Sequence, residues 1–343
     1  MRLTTKVNLW WHSGSASIIF PGGAWKGERS DMAKSKLDFQ NVGMVLGDGN
    51  AMIRQGIKGA LFNQGFREII DTDKTSVARE MIKDTAVDIL ITDYRLPDGD
   101  ALQLVHDIRH HRCGSNPFMV IITLIDAPEK EVVMKVMDSG SDDIIIKPIS
   151  AGKLLERITM LARDRKLFVV TTDYIGPDRR AGHRAGTMDI PKIEVPNPVK
   201  AKVEGDTNTE ALQSAVDAVA RVVNEQKMER HAFQIDYLVN IILPMYEGGK
   251  VTPEVVPHLD RLLYVAQDIS RRLEGTPFAH VGELCQSMVA VTEGVRKKPT
   301  SPMDQDLKLM PQLAKAIKRA FEPTEDSAAL ARDISDSVSR RSK

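Results

Sequence analysis

The chain has 343 residues, a length that suits about two domains, and its 42% hydrophobic and 27% charged residues are the composition of a chain that buries a core. Lys+Arg and Asp+Glu stand at 47 each, so the net charge is zero, which argues against holding nucleic acid by bulk electrostatics. No run approaches eighteen apolar residues, which excludes a membrane-spanning helix, and Cys113 and Cys285 lie far apart with no CxxC pair, so neither a disulfide scaffold nor a zinc site is implied and a reducing, cytoplasmic address fits.

Residues 1–40 differ from the rest. Trp10, Trp11 and Trp25 all fall there, among Gly, Ser and short apolar runs with no helical or strand period. Arg2 and Lys6 give a basic start, but the apolar run Ile18–Phe20 is too short for a secretory signal. Met32 opens a stretch that reads as a natural domain start, so residues 1–40 are expected to be a disordered extension.

From 41 to 165 short apolar runs alternate with amphipathic stretches. VGMVL, REII, VDILITD, FMVIITL and DIII read as five strands. A helix-period segment separates each from the next; Met52, Ile53, Ile57, Leu61 and Phe62 make the first. This alternation predicts βαβ units and a doubly wound, five-stranded parallel sheet. In such sheets the site lies beyond the carboxyl ends of the strands. Residues 166–209, rich in Pro, Gly and basic residues, read as a linker with extended segments. From 210 to 322 the period is helical. Apolar stripes run Leu212–Val223, continuing to Pro244, then Val255–Leu273, Leu284–Val295 and Leu307–Phe321, predicting an all-α bundle of four or five helices. Residues 323–343 are Ser- and charge-rich and read as a flexible tail.

The strand ends carry the chemistry. Asp48 and Gly49 follow the first strand, Asp93 the third, Thr123 the fourth, and Lys147 with Pro148 the fifth. A rim carboxylate, an acid partner, a hydroxyl and a lysine suit a hard divalent cation held through oxygen, with Asp93 as nucleophile toward a phosphoryl group. Mg²⁺ and Lys147 would neutralise the transferring oxygens, and Thr123 would hydrogen-bond one of them. Bland readings compete: Asp93 as a loop acid, Asp48 as a cap of the following helix, Arg95 as a solvated rim charge, Asp98 and Asp100 as turn acids.

Together these segments resemble the receiver domain of two-component response regulators, over somewhat more than a third of the chain. DILITDYRLPDGDAL is similar to the family's phosphoacceptor segment, VIITL to the strand bearing its switch hydroxyl, and GSDDIIIKPIS to its last strand. The resemblance implies a flavodoxin-like receiver; the helical C-terminal domain, read from its apolar period, is expected to be an output or protein-interaction module and not an enzyme. The resemblance also implies Asp93 as acceptor, Lys147 and Thr123 as its partners, and Mg²⁺ held by Asp48, Asp93 and the Arg95 backbone carbonyl. It further implies a histidine kinase or histidine phosphotransfer protein as donor, and a downstream protein partner reached through the helical domain. Two positions depart from the family pattern. Gly49 stands where a second acid usually ligates the metal, and Ile144 where a rotating aromatic is common.

His231 and His280 raise a relay alternative, a phosphohistidine in the bundle, but neither AHVGELCQS nor RHAFQIDYL has the expected lysine or helix pattern. A phosphorylation-independent scaffold, with Gly49 disabling the metal chemistry, is the other alternative. DNA binding ranks third, since no reader helix accompanies the neutral charge.

Overall fold

Val- and Ile-rich runs bury both their faces when helices cover a sheet on both sides, and that is the arrangement over residues 44–163. The computed structural model describes residues 37–180, 190–206, 208–247, 251–274 and 279–321. In chain order the elements are β1 (Met44–Gly47), α1 (Ala51–Asn63), β2 (Ile69–Thr72), α2 (Thr75–Asp84), β3 (Ile89–Asp93), the short pair β4 (Arg95–Leu96) and β5 (Gly99–Asp100), α3 (Ala101–Arg109), β6 (Val120–Ile125), α4 (Lys130–Ser139), β7 (Asp143–Ile146) and α5 (Ala151–Arg163). The five long strands pair in parallel in the order β2-β1-β3-β6-β7. The expected doubly wound sheet is therefore present.

Successive strand residues face opposite sides. Leu46, Ile91 and Ile122 pack with Leu61 of α1 and Ile158 of α5. Val45, Leu90 and Ile121 pack with Ala78 and Ile82 of α2 and Leu104 and Ile108 of α3. Helix starts are fixed by polar side chains that take up otherwise unpaired amides. Asn50 accepts from Met52 N at 2.9 Å, Asp100 from Leu102 N at 2.8 Å and Ser150 from Lys153 N at 3.3 Å. Lys74 gives α2 no such cap, and Asp98 of the β4–β5 turn supplies one from across the chain, accepting from Thr75 N, Ser76 N and the Ser76 hydroxyl. The Ser76 hydroxyl bond holds the Asp98 carboxyl down at about 2.

Two boundaries differ from the sequence reading. Of the extension expected over 1–40, residues 1–36 lie outside the described residues. Residues 37–40 join the fold: Phe39 is buried and stacks on Phe66 with centroids 4.5 Å apart. The stretch read as a linker carries structure of its own. β8 (Phe168–Val170), β9 (Ile175–Pro177) and β10 (Lys192–Ile193) form an antiparallel sheet in the order β10-β8-β9, followed by α6 (Pro198–Val203). Its Pro and Gly content hid a set of buried apolar positions, among them Phe168, Val169, Val170, Ile175 and Ile193.

This sheet is fastened at the amino-terminal end of the parallel strands. Arg109, fully buried, donates to the carbonyls of Pro117, Met119 and Gly140 and pairs with Asp142 at 2.7 Å. Arg165 pairs with the same Asp142 at 2.8 Å, and both guanidiniums lie over the Phe168 ring. Burial works to raise the Asp142 pKa, but Arg165 and Arg109 outweigh it and hold the carboxyl below its ordinary value. Gly140, at φ +97, is required by close approach, since a Cβ there would meet Ile175 O at 2.6 Å. Lys202 of α6 adds an ion pair with buried Asp88 at 2.7 Å.

The remaining helices are α7 (Thr209–Glu247), α8 (Val255–Leu273), α9 (Ala279–Lys297) and α10 (Asp304–Ala320). The chain divides into two units at Val222–Val223, inside α7, rather than at 210. In the second unit Ile235, Val239, Leu259, Leu262, Ile269, Met288 and Ile317 share one core. Residues 322–343, which include the expected tail, lie outside the described residues. Among the described residues no helix is long and apolar enough to cross a membrane.

Candidate functional site

Three strands end on one rim, and three of the expected residues meet there. Asp93 closes β3; its Oδ1 accepts from Arg95 N at 2.8 Å and its Oδ2 from the Lys147 ammonium. Lys147, which follows β7 and precedes Pro148 through a cis peptide bond, also lies 2.7 Å from Asp48 Oδ2. Asp48 follows β1. Its Oδ1 accepts from Asn50 N at 2.7 Å, and its backbone carbonyl accepts from Arg54 at 2.6 Å. The helix-capping reading of Asp48 does not hold, because the α1 amides are taken by Asn50. Arg54 and Lys58 in turn grip Asp71 at 3.2 and 2.7 Å, which fixes α1 against β2. The Lys58 hydrogen bond, with help from Arg54, holds the Asp71 carboxyl below its ordinary value.

Both acids are almost fully buried, and one ammonium bridges them. Burial works to lower the Lys147 pKa, but the hydrogen bonds to Asp48 and Asp93 outweigh it and hold the ammonium more firmly protonated. The site is thus an anionic pair with a fixed cation, at the mouth of a sheet whose interior is apolar.

Thr123 is not brought to this cluster. In the ladder it pairs with Thr92, and Leu124 is the residue opposite Asp93. Thr123 is therefore one pleat out of step with Asp93 and faces the other side of the sheet. Its hydroxyl is buried 2.7 Å from Ser141 Oγ, beneath the C-terminal end of α4, where Ser139 also bonds Ser141. The expectation that Thr123 reads the acceptor rests on the residue type in VIITL, and parity along the strand overrides it.

A residue missed in sequence stands on the same rim. Asp126, 70% exposed at its side chain, lies 3.7 Å from Lys147 Nζ. The fourth strand was read as ending at Leu124, but β6 runs to Ile125, which makes Asp126 the residue beyond its carboxyl end. Applying the strand-end rule to that longer run would have found it.

The oxygen donors of Asp48 and Asp93 are of the type a hard divalent cation takes. Asp48 Oδ2, buried and facing the Lys147 ammonium, already stands where a cation is tolerated. Gly49 adds no acid, and among the described residues no group of three or more His, Cys, Asp or Glu is arranged to hold a metal. The donors fit such an ion in kind, with one carboxylate fewer than the family pattern. A Cβ built on Gly49 would meet only Pro97 atoms, at 3.5 Å, so a side chain fits there.

The response regulator receiver domain family matches residues 44–159. Over 138 residues the chain is 24% identical to a probable transcriptional regulatory protein, NarL, of Mycobacterium tuberculosis, covering 40% of this chain and 61% of that protein. It is 30% identical over 112 residues to the probable transcriptional regulatory protein y4xI of Sinorhizobium fredii, covering 32% and 47%. It is 24% identical over 115 residues to the chemotaxis protein CheY of Bacillus subtilis, covering 34% and 92%. The chain thus spans about half to three-fifths of the two transcriptional regulators it matches. A solved response regulator receiver protein from Pseudomonas putida is 28% identical, with 35% of this chain and 98% of that one covered and a TM-score of 0.31. Residues 44–159 are a response regulator receiver domain.

Proposed function

We propose that this chain accepts a phosphoryl group on Asp93 from the phosphohistidine of a histidine kinase or histidine phosphotransfer protein, and signals through its helical C-terminal region. The observation that carries this reading is the Lys147 ammonium shared by Asp48 and Asp93. A receiver domain of itself implies a phosphoacceptor in two-component signalling; the placement of Asp48, Asp93 and Lys147 supports the residue roles assigned below.

In the transfer, a carboxylate oxygen of Asp93 attacks phosphorus, the P–N bond of the donor breaks, and its electron pair leaves on the imidazole, which takes up a proton. The Arg95 N–H holds the carboxylate's second oxygen in place. Lys147, freed from the carboxylate whose charge the phosphoryl group has taken over, would pair with a phosphoryl oxygen. Asp48, Asp93 and the Arg95 carbonyl would hold Mg²⁺, which when bound neutralises charge on the transferring oxygens. The Thr123 hydroxyl is bonded to Ser141 Oγ, and this reading assigns it no step. The new charge, about −1.5 to −2 by analogy with phosphorylated side chains, replaces a carboxylate beside Lys147 and Asp126.

One observation favours a second reading, a scaffold independent of phosphorylation: Gly49 removes a metal-ligating acid. Incubation with acetyl phosphate and Mg²⁺, read by intact mass, separates the two. One phosphoryl adduct, absent from Asp93→Ala, supports the acceptor. No adduct at saturating Mg²⁺, from acetyl phosphate or from a phosphorylated kinase, supports the scaffold. For the relay alternative, His231 is enclosed by the second unit and bonded to Asp268, so His280, which is exposed, is the histidine to test.

A further inference from the structure

The ladder that sets β7 beside β6 also decides what stands over the acceptor. Ile125 pairs with Ile146, and Lys147 N donates to Ile125 O at 2.8 Å, so the next residue of each strand leaves the sheet on the same rim. On β7 that residue is Lys147, and on β6 it is Asp126. The Asp126 carboxylate lies 3.7 Å from the Lys147 ammonium and is 70% exposed, whereas Asp48 and Asp93, which hold the same ammonium, are buried. Three carboxylates thus share one cation. The neighbouring guanidiniums are engaged elsewhere: Arg54 holds Asp71 and the Asp48 carbonyl, and Arg95 lies over the Tyr94 ring at 4.7 Å.

A phosphoryl group on Asp93 adds charge to this balance. Before transfer, Asp48 and Asp93 hold Lys147 closely and Asp126 is the outlying third. After transfer the phosphoryl oxygens take the Lys147 ammonium as their partner, and Asp126 both competes for it and repels them. That penalty falls on the acyl phosphate. It falls less on the transition state of hydrolysis, in which negative charge moves from the phosphoryl oxygens toward the departing Asp93 carboxylate. Raising the ground state more than the transition state lowers the barrier.

Resting on the reading of Asp93 as acceptor, we propose that Asp126 is a positioning residue that keeps the acyl phosphate short-lived by drawing Lys147 off the phosphoryl oxygens. In the step it speeds, a water oxygen attacks phosphorus and the bond from phosphorus to the Asp93 oxygen breaks. The electron pair stays on the carboxylate, one water proton remains on the inorganic phosphate and the other passes to solvent. The chain is then a receiver that sheds its phosphoryl group more readily than Asp48, Asp93 and Lys147 alone would allow.

The test follows the adduct by intact mass after acetyl phosphate is removed, at saturating Mg²⁺, in the unaltered full chain, in Asp126→Asn and in Asp126→Glu. Asp126→Asn should lengthen the half-life of the adduct about three- to tenfold, the scale of one exposed charge acting on a dianion at about 4–6 Å. The ratio should shrink as ionic strength rises. Asp126→Glu keeps the charge and should stay within about twofold of the unaltered chain. Equal half-lives in the unaltered chain and Asp126→Asn overturn the inference and leave the acceptor reading standing. A half-life in Asp126→Glu as long as in Asp126→Asn assigns the effect to shape and overturns it too. A shorter half-life, or less adduct, in Asp126→Asn is the sign of a group that holds Mg²⁺ instead of competing for Lys147, and again overturns it. No adduct on any of the three chains, from acetyl phosphate or from a phosphorylated kinase, overturns the acceptor reading and the inference with it.

Discussion

The receiver domain buries two clusters of charge at opposite ends of one sheet, and they are built on opposite principles. At the amino-terminal end two arginines close on one carboxylate, Asp142, and their remaining donors are spent on backbone carbonyls. At the carboxyl-terminal end one lysine is spread over two carboxylates, with a third at 3.7 Å. The first cluster is saturated and holds the appended sheet to the domain. The second keeps an excess of negative charge under a single cation, near solvent, and so retains something to offer a phosphoryl group or a metal. Burial alone does not mark a reactive site; the balance of donors and acceptors around the charge does.

The largest expected effect breaks the saturated end. Asp142→Ala leaves two buried guanidiniums without their carboxylate, and removing one partner of a buried pair costs about 3–5 kcal/mol. Urea unfolding of this variant should show the loss. A loss under about 1 kcal/mol would mean the cluster holds little of the domain. At the other end, Lys147→Met should lower phosphorylation by about 10²-fold, the scale seen on removing one preorganised donor, with far less effect on unfolding. Equal effects of the two substitutions on folding would erase the distinction between the ends.

Gly49→Asp sharpens the comparison by adding to the anionic excess. Its Cβ has room beside Pro97, and a third carboxylate should tighten Mg²⁺ about tenfold, or ~1.4 kcal/mol, by calorimetric titration. Unchanged affinity would show that the rim does not take the ion at Asp48. The smallest effect concerns a third cluster, in the second unit, where Asp268 accepts from His231 at 3.1 Å and from Arg272 at 2.8 Å. Burial holds His231 below its ordinary value of 6.5, against the pull of the Asp268 hydrogen bond. The unfolded chain then binds the extra proton first, so this contribution is complete above 6.5 and is lost as pH falls below it. The melting temperature should drop from pH 7 to 5, and His231→Gln should flatten that slope. A slope unchanged by the substitution would assign it to other groups.

Much of the receiver was legible because its signals are local. Buried parallel strands write themselves as Val/Ile runs, and Asp48 and Lys147, just beyond VGMVL and DIII, do lie on one rim with Asp93, the last residue of VDILITD. What failed was registration. A single pleat puts Thr123 under α4 instead of beside Asp93, and one more strand residue, Ile125, puts Asp126 on the rim. Residues 166–209 escaped for another reason. Their strands are two or three residues long, and part of what fixes them is Arg109 reaching from elsewhere in the chain, a signal no local pattern carries. In the helical region the apolar stripes gave the helices, while the division inside α7 at Val222 is set by packing across the chain.

The role of Asp93 is tested most directly by trapping the acyl phosphate. After exposure to a phosphoryl donor and Mg²⁺, borohydride reduction converts a phosphorylated aspartate to homoserine, and peptide mass locates it. Homoserine at residue 93, and at neither Asp48 nor Asp126, is the expected result. Conversion at another carboxylate, or none in a chain that carries a phosphoryl adduct, would contradict the assignment of Asp93 as acceptor.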